Sequence, residues 1–200
     1  NFSEITKPKN IFFLSFTNAA ISEAKSRLKN VNEGTLVQCY TIDSFAGRLN
    51  QLVRENTGLK FEINTYEENM IAATKFVNGW ADKDSRQCVQ GFIDRTIDLL
   101  IIDEAQDINN FRFDFIRSVL ARINNEARVI VFGDPLQEIY SFQEISSIKG
   151  TLLNYLLDEK SHLKFKKHEL KTNHRIKNSS LLRTYSYARK NYEDKSISMS

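Results

Sequence analysis

Apolar residues in this chain follow two spacings. Short continuous runs fall at Asn10 to Phe16 (following Pro8), Leu36 to Tyr40, Asp98 to Ile102 and Arg128 to Phe132. Runs of this length, rich in Ile, Val and Phe, read as buried strands. The run ending Leu99-Leu100-Ile101-Ile102 is the clearest, and its lack of alternation suits a parallel sheet covered on both faces. Between the runs the spacing becomes helical. A helix is expected from Ala19 to Leu28, with Thr17-Asn18 as its cap, and another from Phe45 to Arg54. The weaker stretch from 56 to 96, punctuated by Gly58, Gly79 and Gly91, predicts helices near Glu67–Val77 and Arg86–Ile93. From Asn110 to Ile123, residues Phe111, Phe115, Val119 and Ile123 line one helical face. A last short strand at His168–Leu170 and a helix from Asn178 to Lys190 complete the pattern.

Strands alternating with helices predict an α/β chain with a doubly wound parallel sheet. The expected organisation is a first part of one domain at 1–47, a short helical insertion at 48–96, the second part of that domain at 97–170, and a linker or the start of a second domain at 171–200. The 200 residues suffice for one sizeable core. A net charge of +3 fits nucleic-acid contact without arguing for it. Cys39 and Cys88 form neither a metal spacing nor a disulfide framework, so a reducing cytoplasm is the expected location. No apolar run approaches the roughly 20 residues of a membrane span, and no signal peptide is evident.

In a doubly wound sheet, ligands bind beyond the carboxyl ends of the strands. Polar clusters follow each predicted strand: Thr17-Asn18, Thr41 to Ser44, Asp103 to Asp107, Gly133-Asp134, and Thr172 to Arg175. Their convergence marks a candidate site more firmly than any one of them. Asp103 can hold Mg²⁺ while nucleotide phosphates supply further ligands, and Glu104 can orient and deprotonate a water. An Asp there can equally cap the following helix. Phe16, closing a buried run, reads by itself as core rather than as a stacking residue. Gln137 and Tyr140 read equally as turn residues, Phe142 as a packing residue and Arg175 as half of a surface ion pair. His162, His168 and His174 have no metal-like partners, and Lys164 to Lys167 reads as a solvated face.

Five segments, in order, resemble those of UvrD/Rep-type superfamily 1 DNA helicases. Leu14-Ser15-Phe16-Thr17-Asn18-Ala19-Ala20 is similar to the family's Phe-Thr-Asn segment. Thr41-Ile42-Asp43-Ser44-Phe45-Ala46 is similar to Thr-Phe-His-Ser-Phe. Asp103-Glu104-Ala105-Gln106-Asp107 resembles the Walker B segment. Gly133-Asp134-Pro135-Leu136-Gln137-Glu138-Ile139-Tyr140-Ser141-Phe142 resembles Gly-Asp-x-x-Gln-x-Ile-Tyr-x-Phe/Trp, and Leu170 to Arg175 resembles Leu-x-x-Asn-Tyr-Arg. Order and number make this more specific than one short motif.

The resemblance implies a RecA-like P-loop NTPase fold and an ATP-dependent DNA helicase or translocase motor, with ATP and Mg²⁺ as cofactors. Single-stranded DNA or a single/double-strand junction would be the partner, within a larger nuclease or phage-defence assembly in some relatives. It implies roles residue by residue. Asp103 would hold Mg²⁺, Glu104 would be the general base, Gln137 would sense the γ-phosphate and Arg175 would contact it. Phe16 and Phe142 would stack on bases. Thr17, Asn18, Thr41, Ser44 and Tyr140 would line the strand or carry the coupling.

The chain departs from the family in three ways. No Gly is followed by Lys, so the phosphate loop ending in Gly-Lys-Ser/Thr is absent. The 200-residue chain alone is therefore expected not to hydrolyse ATP. The family strand bearing that loop would be central, so its loss is expected to leave a groove with unpaired backbone. Asp43 stands where the family has His, and a carboxylate there is expected to repel DNA; His174 replaces a Tyr. The rival reading is a non-catalytic nucleic-acid or protein-binding module with a vestigial ATP site.

Overall fold

A computed structural model describes residues 8–28, 35–134, 152–157, 165–168, 178–181, 183–184, 186–187 and 190. In chain order the elements are β1 (Asn10–Ser15), α1 (Asn18–Leu28), β2 (Leu36–Thr41), α2 (Ile42–Thr57), α3 (Tyr66–Asn78), α4 (Lys83–Thr96), β3 (Leu99–Ile102), a 3₁₀ turn (Ala105–Asp107), α5 (Asn110–Leu120), β4 (Arg128–Val131) and α6 (Leu152–Leu157). All four predicted strands in the described residues form. They make an α/β fold around one parallel sheet of order β2-β1-β3-β4, consistent with a RecA-like architecture.

The register aligns the strand ends: Ser15 pairs with Thr41, Leu14 with Ile102, and Ile102 with Val131. The chain steps one way from β1 to β2 and the other way from β2 to β3 to β4. Right-handed crossovers therefore place α1 on one face and the remaining helices on the other. Phe12 and Tyr40 present the second face, where Phe12 meets Phe45 of α2 and Phe92 of α4, and Phe45 meets Phe115 of α5. Met70, Ala73, Phe76 and Val77 of α3 and Val89 and Ile93 of α4 join the same core.

The first four predicted helices are longer than their apolar spacing indicated, because capping sets the ends of α2, α3 and α4. The helix expected from Phe45 starts at Ile42: Thr41 turns extended and its Oγ1 accepts from the Ser44 amide at 3.1 Å. Thr65 and Glu68 form a reciprocal capping box at the start of α3. Asp82 caps α4 by accepting from the Ser85 amide at 2.7 Å. In α5, Phe113, Ile116 and Leu120 are buried as well as Phe115 and Val119, so the helix is covered around most of its circumference. It ends at Leu120, three residues short of the expected Ile123.

The expected groove does not occur among the described strands, which pair without a gap. Exposed apolar surface appears instead on the α1 face, where Ile130 and Phe132 at the β4 end are each 43% exposed. Of the expected late strand, His168 is exposed and outside any strand, and residues 169–170 lie outside the described residues. The described positions of the expected helix after Asn178 are helical and exposed. Among the described residues no helix is long and apolar enough to cross a membrane. Cys39 and Cys88 are free thiols.

Candidate functional site

The four strand ends meet along one edge, and each delivers its polar cluster there. At the end of β1 the chain turns into α1, with Thr17 Oγ1 accepting from the Ala20 amide at 3.2 Å. Thr17 and Asn18 are exposed, while Phe16 is half-buried and stands outside the core cluster. At the end of β2, Thr41 Oγ1 donates to Ser44 Oγ at 2.9 Å and Ser44 Oγ donates to the Thr41 carbonyl at 2.9 Å, so the two hydroxyls lock the start of α2.

At the end of β3 the Asp103 amide extends the ladder, donating to the Leu14 carbonyl at 2.9 Å, and Asp103 is half-buried. Glu104 then turns left-handed, at φ 55° and ψ 45°. For a non-glycine residue that conformation costs about 1–3 kcal/mol and persists where neighbours over-determine it. The neighbours are identifiable. The Ala105 amide donates to the Phe132 carbonyl at 2.9 Å, tying the turn to β4. Gln106, only 1% exposed, donates from Nε2 to Glu104 Oε2 at 2.6 Å and accepts at Oε1 from the Asp134 amide at 3.0 Å. One buried carboxamide thus couples the Glu104 carboxylate to the turn closing β4. Gly133 is confined by that bridge: a Cβ there would lie 3.1 Å from Gln106 Oε1 and 3.4 Å from Ala105 Cβ. Glu104, not Asp103, takes the N-cap position of the 3₁₀ turn, and it makes no side-chain cap there.

Pleat alternation carries Ser15, Thr41 and Asp103 to the same face of the sheet. Ser15 is fully buried, and its Oγ has no hydrogen-bond partner. Buried hydroxyls usually have a partner, and one without a protein partner suits a position that receives a bound polar group. An orphaned hydroxyl near a half-buried carboxylate is the environment a hydrated Mg²⁺ with phosphate oxygens suits, since that ion needs only one or two protein carboxylates. The residues present therefore fit Mg²⁺ and a nucleotide phosphate.

Asp43 does not stand alone at this edge. Its carboxylate is not an uncompensated charge: Arg112 of α5 grips it with Nε to Oδ1 at 2.8 Å and Nη2 to Oδ2 at 2.9 Å. This is the bidentate fork that a guanidinium makes best. The Arg112 guanidinium also lies 5.0 Å from the Phe16 ring centre and 4.8 Å from that of Tyr66. Asn69 Nδ2 donates to the Asp43 carbonyl at 2.9 Å, and Asn50 Nδ2 donates to Asn69 Oδ1 at 2.9 Å, fixing α3 against the start of α2.

The structure thus brings Phe16, Thr17, Asn18, Thr41, Ser44, Asp103 and Glu104 to one edge. Gln137, Tyr140, Phe142 and Arg175 lie outside the described residues. Sequence reasoning missed Arg112, Tyr66 and Asn69, which no motif spacing links to the strand ends, and gave no role to Gln106 inside a segment it had singled out. Residues 73–155 match the family described as UvrD/REP helicase N-terminal domain, a stretch running from within α3 through α4, β3, the 3₁₀ turn, α5 and β4 into α6. No curated protein matches the chain.

Proposed function

From the match of residues 73–155 to the UvrD/REP helicase N-terminal domain we propose that the chain is part of an ATP-dependent motor that moves on single-stranded DNA, with Asp103, Glu104 and Gln106 at its nucleotide edge and Phe16, Thr17, Asn18, Thr41 and Ser44 on its strand path. The observation that carries this reading is the Glu104–Gln106–Asp134 bridge between the ends of β3 and β4. It holds a carboxylate in a strained, fixed attitude beside an Asp with the chemistry of a metal ligand, as a general base requires.

In this reading Asp103 takes part in holding Mg²⁺, which when bound supplies charge neutralisation at the phosphates. Glu104 orients the attacking water and accepts its proton. Gln106 keeps that carboxylate in position and carries its displacement to the Gly133-Asp134 turn. Gln137 and Arg175 contact the γ-phosphate, and Tyr140 and Phe142 continue the strand path. On this reading the 200-residue chain by itself is expected not to turn over ATP, because no Gly in it is followed by the Lys of a phosphate-binding loop.

The test is ATPase of the intact protein with and without single-stranded DNA. DNA-stimulated hydrolysis is expected, slowed by about 10²-fold or more in Glu104→Gln with ATP binding retained. Absence of hydrolysis refutes the motor and favours the binding-module reading; hydrolysis indifferent to DNA refutes the motor alone.

A further inference from the structure

We propose that Tyr66 is a second base-stacking residue beside Phe16, the two rings and the Arg112 guanidinium forming one neutral platform for bases of a single strand. The inference rests on the strand-path reading above and extends it to residues of α3 and α5 that no motif assigns.

Three observations carry it. First, the Tyr66 ring is held against Arg112 at 4.8 Å, yet the residue is 47% exposed. A ring held on a fixed cation presents a π-surface at low entropic cost, which is what sequence-tolerant base stacking needs. Second, Arg112 contacts the Phe16 ring as well, so the two aromatic residues share one support and lie on the same stretch of edge. Third, the support is over-determined. Asp43 fixes two guanidinium nitrogens, Asn69 ties α3 to the Asp43 carbonyl, and the capping box sets the first turn of α3, where Tyr66 sits.

Charge decides what the platform binds. The Asp43 carboxylate cancels the Arg112 charge locally, so the surface attracts base faces rather than phosphates. Of the acidic neighbours in the first turn of α3, Glu68 is turned back onto the helix start, its Oε2 accepting from the Asn64 and Thr65 amides. Burial, and next the adjoining Glu67, push the Tyr66 phenol above its ordinary range.

The experiment measures binding of a fluorescein-labelled oligo(dT) to the intact protein by anisotropy, without nucleotide, across a series of salt concentrations. Tyr66→Ala is expected to weaken binding by about 5- to 150-fold, the worth of one base–aromatic stack, with an unchanged salt slope. Tyr66→Phe should bind like wild type. Phe16→Ala reports separately on the underlying strand path. Wild-type affinity in Tyr66→Ala alongside a weakened Phe16→Ala overturns this inference and leaves the strand path standing; wild-type affinity in both overturns both. A salt slope shallower by about 0.7 in Tyr66→Ala means a lost phosphate contact, and equal loss in Tyr66→Phe means a role for the hydroxyl; either overturns stacking. Circular dichroism checks folding, and if Tyr66→Ala is unfolded, Tyr66→Leu, which keeps apolar bulk without a π-face, takes its place with the same expectations.

Discussion

Replacing Gln106 by Leu isolates the bridge on which the proposed chemistry depends. The two side chains are close in volume and the site is 1% exposed, so little cavity is created and the change is chiefly one of hydrogen bonding. The variant loses the bond from Nε2 to the Glu104 carboxylate at 2.6 Å and the bond accepted from the Asp134 amide at 3.0 Å. A bond to a charged group contributes about 1.5–3 kcal/mol and a neutral one about 0.5–1.5. Glu104 and Asp134 are both half-exposed, so water recovers part of each, leaving a net destabilisation of about 1–3 kcal/mol. Urea unfolding of the 200-residue chain, followed by circular dichroism, reads that loss as a lower midpoint at constant slope. The functional effect should be larger than the stability effect. With its tether gone, Glu104 can relax from φ 55°, and in the intact protein kcat for ATP should fall by about 10-fold or more with KM little changed. A variant within about 0.5 kcal/mol of wild type and with undiminished kcat refutes the idea that this bridge positions the base.

Other outcomes follow from the packing and the caps. Phe45→Ala removes a fully buried ring lying 5.9 Å from both Phe12 and Phe115; it should cost about 3–5 kcal/mol in urea unfolding, and a loss under about 1.5 would show that the helical layer can collapse around it. Gly79→Ala should destabilise more than Gly58→Ala: both sites have positive φ, at 72° and 68°, but a Cβ at 79 meets Arg86 Cδ at 2.4 Å whereas none lies within 4 Å at 58. Equal midpoints for the two variants would contradict that contact. Asp82 is held below its ordinary carboxylate range by hydrogen bonds from Ser85, so its contribution is present above the ordinary Asp range and is lost as pH falls through the lowered folded value. The stability gap between wild type and Asp82→Ala should narrow on acidification from neutral pH, and a constant gap would show that the carboxylate charge is irrelevant to the cap.

Local chemistry alone specified a great deal. The four strand runs, the cap at Thr17, the parallel class and the convergence of Asp103, Glu104, Phe16 and Ser44 on one edge were all legible. Each depends on a period, a cap or a strand end, and those are properties of residues adjacent in sequence. Helix ends were misjudged where a polar cap, rather than the apolar stripe, set the boundary, as at Ile42 and Lys83.

The tertiary structure decided the electrostatics of the edge. Asp43 looked like an unopposed negative charge until α5 set Arg112 against it, 69 residues further along the chain. Tyr66 had no visible relation to Phe16 until both met the same guanidinium. Gln106 looked like an ordinary member of its segment until the register of β3 against β4 brought the Asp134 amide to its carboxamide. Such pairings depend on which helix crosses which strand end. The energies involved are set by burial and by geometry of a few tenths of an ångström, and no spacing along the chain encodes them.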